Sequence, residues 1–76
     1  MKRGTLARLL ELDDSEPLVD AVARAFRGDG ARIDDFLTRP HPLLDGESPL
    51  DLATSSSAGS EAVLRLVRRA EAGIVV

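Results

Sequence analysis

Residues 36–52 read FLTRPHPLLDGESPLDL, and the prolines near the middle of this segment separate two helices. Pro40 and Pro42 cannot donate a backbone N–H to a helix, and each favours extended geometry in the residue before it. The Asp45-Gly46 pair then supplies a tight turn. A new helix is predicted to start at Ser48, because serine is a good N-cap and a proline follows at the first helical position.

Apolar residues recur at helical spacing on both sides of this segment, which predicts an all-α fold. Short helices are predicted over residues 5–12, 16–27, 31–38 and 48–54. The small polar residues 54–59 are predicted to form a loop. The last and longest helix follows, with an apolar stripe at Val63, Leu66, Val67 and Ala70, and ends at a glycine suited to a helix C-terminus.

These patterns predict one domain over residues 1–76, a compact bundle of four to five short helices. We expect residues 1–4 to form a flexible N-terminus and residues 74–76 to form an extended apolar tail. The core is predicted to centre on Val22, Phe26, Phe36, Leu37, Leu50, Val63, Leu66 and Val67.

The composition excludes several classes of protein. Seventy-six residues without cysteine offer neither a disulfide nor a thiolate zinc site. The formal net charge of −3 has the wrong sign for a general nucleic-acid binder. No apolar run approaches the roughly 18 residues of a membrane span. The N-terminus also lacks the uninterrupted apolar segment of a signal peptide.

Residues that could carry chemistry are few, and their spacing does not indicate an enzyme, a metal site or a cofactor site. His41, the only histidine, lies between two prolines and is interpreted as a turn residue or a local hydrogen-bonding group. The serines at 55–57 are assigned to a loop and an N-cap. Asp29, Asp34 and Asp35 lack the spacing of a calcium loop. The turn over residues 28–30 lacks the further glycine and the Lys-Ser/Thr pair of a phosphate-binding loop.

Arg65, Arg68 and Arg69 form a basic cluster on the last helix, and two interpretations stay open for it. The cluster is either a solvated face with cations near the helix C-terminus, where the helix dipole favours them, or a surface for an acidic partner. Leu64 either widens the core face or is an exposed anchor. The apolar tail at residues 74–76 either docks on its own domain or binds another protein.

The turn and helix start within residues 36–52 resemble the C-terminal, toxin-binding domain of the MbcA/ParS/Xre antitoxin family. That family has a P-x-P-x-L-x-G turn, an (S/T)-P-L-(D/E)-L helix start, and a last helix that closes in glycine and a small apolar tail. The resemblance covers about residues 17–76. Phe36 stands where the family usually has tryptophan. The matching motif positions in this chain are Phe36, Pro40, Pro42, Gly46, Ser48, Pro49 and Leu50.

The resemblance implies a bacterial type II antitoxin with no enzyme activity. Its implied partner is a RES-domain toxin, an enzyme that consumes NAD and is neutralised when the antitoxin covers its active-site cleft. From the family pattern and the helical spacing, the expected toxin-binding residues are Leu64, Arg65, Arg68, Gly73, Ile74, Val75 and Val76.

Family members commonly carry an N-terminal helix-turn-helix region, and residues 5–12 are too short to form one. We therefore expect no nucleic-acid binding by this chain alone. We also expect no membrane association, a cytoplasmic location, and a homodimer or higher assembly. The alternative function is a stand-alone helical dimerisation or adaptor module without a toxin partner.

Overall fold

The computed structural model describes residues 1–72, which form five α-helices and one 3₁₀ turn. The longest helix packs mainly against the second and fourth helices, and the first helix packs against the second. The predicted all-α bundle, with its last helix the longest, is confirmed. The elements are α1 (Arg3–Leu10), α2 (Pro17–Ala25), α3 (Gly30–Thr38), the 3₁₀ turn (Pro42–Leu44), α4 (Pro49–Ser55) and α5 (Ser57–Glu71).

Every α-helix contributes apolar side chains to one core. The larger buried residues are Leu6, Leu10, Leu18, Val19, Val22, Ile33, Leu37, Leu44, Val63, Leu66 and Val67. Five of the eight predicted core residues are therefore confirmed. Phe26, Phe36 and Leu50 are instead half-buried and pack against the edge of the core.

The position of Phe36 follows from the geometry of α3. Ile33 and Leu37, four residues apart, are fully buried and define the inward line of this short helix. At 100° per residue, Phe36 lies about 80° away from the centre of that line. Its ring stacks at a tilt against Phe26, with the ring centroids 5.1 Å apart. The two rings therefore cover one side of the core and do not form its centre.

The N-terminal residues are also placed differently from the prediction. Helix α1 begins at Arg3, two residues before the predicted start. Met1 packs against the core, and its ammonium group donates a hydrogen bond to the carbonyl oxygen of Gly28. The structure thus places residues 3 and 4 in helix α1, and the flexibility of residues 1–4 stays a prediction. Leu9 is 39% exposed because Leu6 and Leu10 face inward on this helix.

The predicted loop over residues 54–59 is wrong. Only Ser56 separates α4 from α5, and its backbone is extended, with φ −165° and ψ 163°. The hydroxyl oxygen of Ser56 accepts a hydrogen bond from the N–H of Gly59 at 3.0 Å, which makes Ser56 the N-cap of α5. The serines that suggested a loop thus belong to the end of one helix and the start of the next.

We expect Ser56→Ala to lower the free energy of unfolding by about 1 kcal/mol, because it removes the N-cap of the longest helix. Ser57→Ala is the matched control, since Ser57 is exposed and its hydroxyl forms no hydrogen bond within residues 1–72. Urea unfolding monitored by circular dichroism measures the free energy of unfolding of both variants. Equal stability of the two variants would contradict the assignment of Ser56 as the cap.

Candidate functional site

Residues 40–47 form a closed turn that is organised by His41. The backbone N–H of His41 donates to the carbonyl of Glu47 at 3.1 Å, and its own carbonyl accepts from Leu44 and Gly46. The ring nitrogen Nδ1 accepts from the N–H of Leu43 at 3.1 Å. The interpretation of His41 as a local hydrogen-bonding group is confirmed.

The other motif residues shape the same turn and the helix after it. Asp45 and Gly46 both have left-handed backbone angles, with φ 56° and 79°. Only glycine adopts that region without cost, which explains the residue type at position 46. The hydroxyl of Ser48 accepts from the N–H of Asp51 at 3.2 Å, and Pro49 is buried behind it at the first position of α4. The predicted helix start is therefore confirmed.

This turn separates two neighbouring leucines onto opposite sides. Leu44 is buried in the core, whereas the side chain of Leu43 is 54% exposed. Among residues 1–72 only Leu9 and Leu43 are large hydrophobic residues with such exposure. The exposure of Leu43 is fixed by the turn that buries Leu44, so the fold itself presents this leucine to solvent.

An open groove of about 640 Å³ runs between the 3₁₀ turn and the C-terminal half of α5. Along α5, the spacing of i, i+3, i+7 and i+10 puts Ala62, Arg65, Arg69 and Ala72 on one helix face. At 1.5 Å per residue, this face is about 15 Å long. The groove is lined by Leu43, Leu44, Ala62, Arg65, Leu66, Arg68, Arg69 and Ala72.

Positive charge is concentrated along this groove. Arg65, Arg68 and Arg69 are exposed and form no ion pair with any of residues 1–72. The one acidic residue in the last turn of α5, Glu71, has its carboxylate 3.9 Å from Arg24 on α2. No carboxylate belongs to the described lining of the groove. The groove is therefore an apolar surface bordered by three cations.

Three other arginines of the chain are paired within the fold, whereas Arg8, Arg27 and Arg32 form no ion pair among residues 1–72. Arg3 and Arg24 both bind Asp20 at 3.1 Å, and Arg39 binds Asp35 at 2.7 Å. The groove arginines differ from these three paired arginines because no carboxylate of residues 1–72 lies within ion-pair distance of them, although the domain is acidic overall.

The other residues predicted to bind a toxin are placed differently. Leu64 is half-buried, packs against the edge of the core, and does not line the groove. Ala70, assigned to the buried stripe of this helix, is exposed. Gly73, Ile74, Val75 and Val76 lie outside the described residues, and they continue the chain directly from Ala72 at the end of the groove.

The acidic residues considered for metal binding have structural roles. The carboxylate of Asp29 caps α3 by accepting hydrogen bonds from Ala31 and Arg32. Asp35 pairs with Arg39 at 2.7 Å, and Asp34 is exposed to solvent. Over residues 1–72, no three histidine, cysteine, aspartate or glutamate side chains come together as a metal site would require. None of the helices in this part of the chain has the length and apolar character needed to cross a membrane.

Residues 21–73 match the family described as the antitoxin Xre/MbcA/ParS C-terminal toxin-binding domain. This match covers more than half of the chain. The chain belongs to this antitoxin family. No curated protein and no solved structure matches it significantly. The predicted family is confirmed, and the match extends from α2 through the 3₁₀ turn to the end of α5, so it includes every described residue of the groove.

Membership gives this antitoxin domain a toxin as its partner. Of the residues predicted to bind a toxin, Arg65 and Arg68 line the groove, whereas Leu43, which lines it too, is not among those predicted residues. The Pro-Leu-Leu tripeptide could have indicated it, because a single 3₁₀ turn cannot bury two adjacent leucines on one side. The homodimer or higher assembly remains a prediction.

Proposed function

We propose that this antitoxin neutralises a RES-domain toxin that consumes NAD, in the bacterial cytoplasm, by covering the active-site cleft of the toxin. The proposed contact surface is the C-terminal half of α5 together with the residues that follow it. The residues assigned to it are Leu64, Arg65, Arg68, Gly73, Ile74, Val75 and Val76.

One observation carries this proposal beyond family membership. The C-terminal half of α5 carries three arginines that form no ion pair within residues 1–72, and three consecutive apolar residues follow at 74–76 in the sequence. Arg65 and Arg69 are like charges at i and i+4, which costs the isolated helix roughly 0.2–0.5 kcal/mol. Arginine beside apolar surface is a common basis of strong protein–protein contacts, because a desolvated guanidinium binds a carboxylate through two hydrogen bonds.

The glycine at position 73 supports the same assignment. Glycine adopts positive φ angles without penalty, so the chain can turn away from the axis of α5 at this point. The alternative, a dimerisation or adaptor module without a toxin, is less consistent with membership in a family of toxin-binding domains.

Deletion of residues 74–76 tests the proposal. The described core ends at Val67, so we expect the shortened chain to fold with nearly unchanged stability. Complete burial of three apolar side chains against the toxin would contribute several kcal/mol to the free energy of binding. We expect the deletion to cost about 3 kcal/mol of this free energy, which corresponds to roughly 100-fold weaker binding. Cell survival and cellular NAD content should both fall when a RES-domain toxin encoded beside this chain is expressed with the shortened antitoxin.

A chain with serines at residues 74–76 is the matched control, because it keeps the length and removes only the apolar character. Immunoblotting should show equal antitoxin levels, which excludes degradation as the cause. Equal protection by the shortened and the full chain would show that the tail is not part of the contact. Failure of the full chain to bind or protect against the RES-domain protein would refute the proposed function itself.

A further inference from the structure

We infer that the groove between the 3₁₀ turn and α5 extends the proposed contact surface to Leu43 and Arg69, and that it binds an acidic segment of the toxin with one apolar side chain. The apolar side chain would lie against Leu43 and Leu44, and its flanking carboxylates would pair with Arg65 and Arg69. This inference rests on the proposed function, since it takes the toxin as the partner.

The shape of the groove indicates an elongated occupant. Ala62 and Ala72 mark its two ends along α5, about 15 Å apart, and their small side chains leave the helix surface accessible. An extended segment rises by 3.2–3.4 Å per residue, so about four to five residues would span this length. Leu43, at 54% exposure, forms the opposite wall.

The charges indicate the chemistry of that occupant. Three guanidinium groups border the groove, and no acidic side chain of the described lining offsets them. Carboxylates pair with guanidinium groups in a planar geometry with two hydrogen bonds, so an acidic segment satisfies donors that the domain leaves open. A second copy of this chain is a poorer match, because symmetric pairing of two such grooves would oppose arginine to arginine.

The test compares variants in the full chain by titration against a purified RES-domain toxin, chosen as one whose gene adjoins the gene of this chain. Leu43→Asp should weaken binding about 30-fold, since it places a charge where an apolar side chain is expected and adds repulsion toward the acidic segment. Leu9→Asp is the matched control, because Leu9 is also an exposed leucine but lies on α1, away from the groove. It should bind like the unmodified chain.

The arginines are tested through the salt dependence of affinity. In the unmodified chain, affinity should fall as ionic strength rises, whereas Arg65→Gln/Arg69→Gln should bind more weakly at low salt and respond less to salt. Arg8→Gln is the matched control: Arg8 is exposed on α1 and has no ion pair within the described residues. Thermal melting should confirm that every variant is folded.

Three outcomes would overturn the inference while leaving the proposed function intact. The first is unchanged toxin affinity of the Leu43 and arginine variants when the unmodified chain binds the toxin. The second is a change in self-association of the purified chain, measured by sedimentation, without a change in toxin affinity. The third is weaker binding of a 20-base-pair DNA duplex by the same variants, again with unchanged toxin affinity. Absence of any binding by the unmodified chain would instead count against the proposed function.

Discussion

Gly59→Ala is expected to lower the free energy of unfolding by about 3 kcal/mol or more. Gly59 is buried where α5 passes α4, and a Cβ atom at this position would lie 2.8 Å from the carbonyl carbon of Leu52 and closer still to its oxygen. That obstacle is backbone inside a helix, so it cannot rotate away as a side chain would. The two helices must therefore separate to accommodate the added methyl group. The resulting destabilisation exceeds the roughly 1 kcal/mol by which alanine stabilises a helix relative to glycine.

The expected loss is large relative to the total free energy of unfolding of the domain. A domain of this size has a free energy of unfolding of roughly 4–11 kcal/mol. A loss of about 3 kcal/mol lowers the melting temperature by about 12–24 °C. Thermal unfolding followed by circular dichroism measures it directly.

Gly4→Ala provides the control for the same substitution in another helix. Gly4 lies in α1, and a Cβ atom there would meet no other atom within 4 Å. We expect this variant to gain up to about 1 kcal/mol of stability, because alanine is the better helix former. Destabilisation of both variants by similar amounts would show that helix α5 does not approach α4 as closely as described.

Gly59 belongs to a segment whose helical structure could not be predicted from the sequence. The small residues over 54–59 predict a loop, because the threonine, serines and glycine among them are common in loops and are weaker helix formers than alanine. The same residues are required where two helices meet with one intervening residue, since Ser56 must cap and Gly59 must allow close approach. Local composition does not distinguish these two situations, because the deciding contact with Leu52 is made across the junction.

Most of the helices could be predicted, because apolar spacing and capping residues are local signals. Ile33 and Leu37 defined α3, and the Ser48-Pro49 pair fixed the start of α4. The half-buried position of Phe26 and Phe36 could not be predicted, because phenylalanine is apolar wherever it lies on a helix and its residue type does not indicate how deeply it is buried. Their half-buried position depends on which neighbours occupy the centre, and that is decided by tertiary packing.

The candidate site was predicted in part for a similar reason. Arg65 and Arg68 were identified because they cluster on one helix in an acidic protein. Leu43 was not identified, because its exposure results from the turn that buries Leu44, and the groove exists only where that turn meets α5. The sequence therefore indicates charged faces more readily than surfaces built from two distant segments.

Helix α1 and the start of α2 lie before the residues that match the family, yet they supply part of the core. The family match begins at residue 21, whereas Leu6, Leu10, Leu18 and Val19 are all buried. Helix α1 packs against α2 and α4, and Met1 covers the edge of the same core. Residues 1–20 are therefore part of the folded unit that presents the groove.

Leu10→Ala should consequently lower the free energy of unfolding by about 2–5 kcal/mol, the range measured when a buried leucine is truncated and leaves a cavity. Leu9→Ala is the matched control one residue away, and because Leu9 is 39% exposed we expect a loss within about 0.5 kcal/mol. Urea unfolding of both variants measures the difference. Since α1 packs against α2 and α4 in the shared core and does not line the groove, Leu10→Ala should weaken toxin binding at 37 °C only as far as it unfolds the domain, with affinity recovering at 15 °C. Equal stability of the Leu9 and Leu10 variants would place α1 outside the core and restrict the folded unit to the residues that match the family.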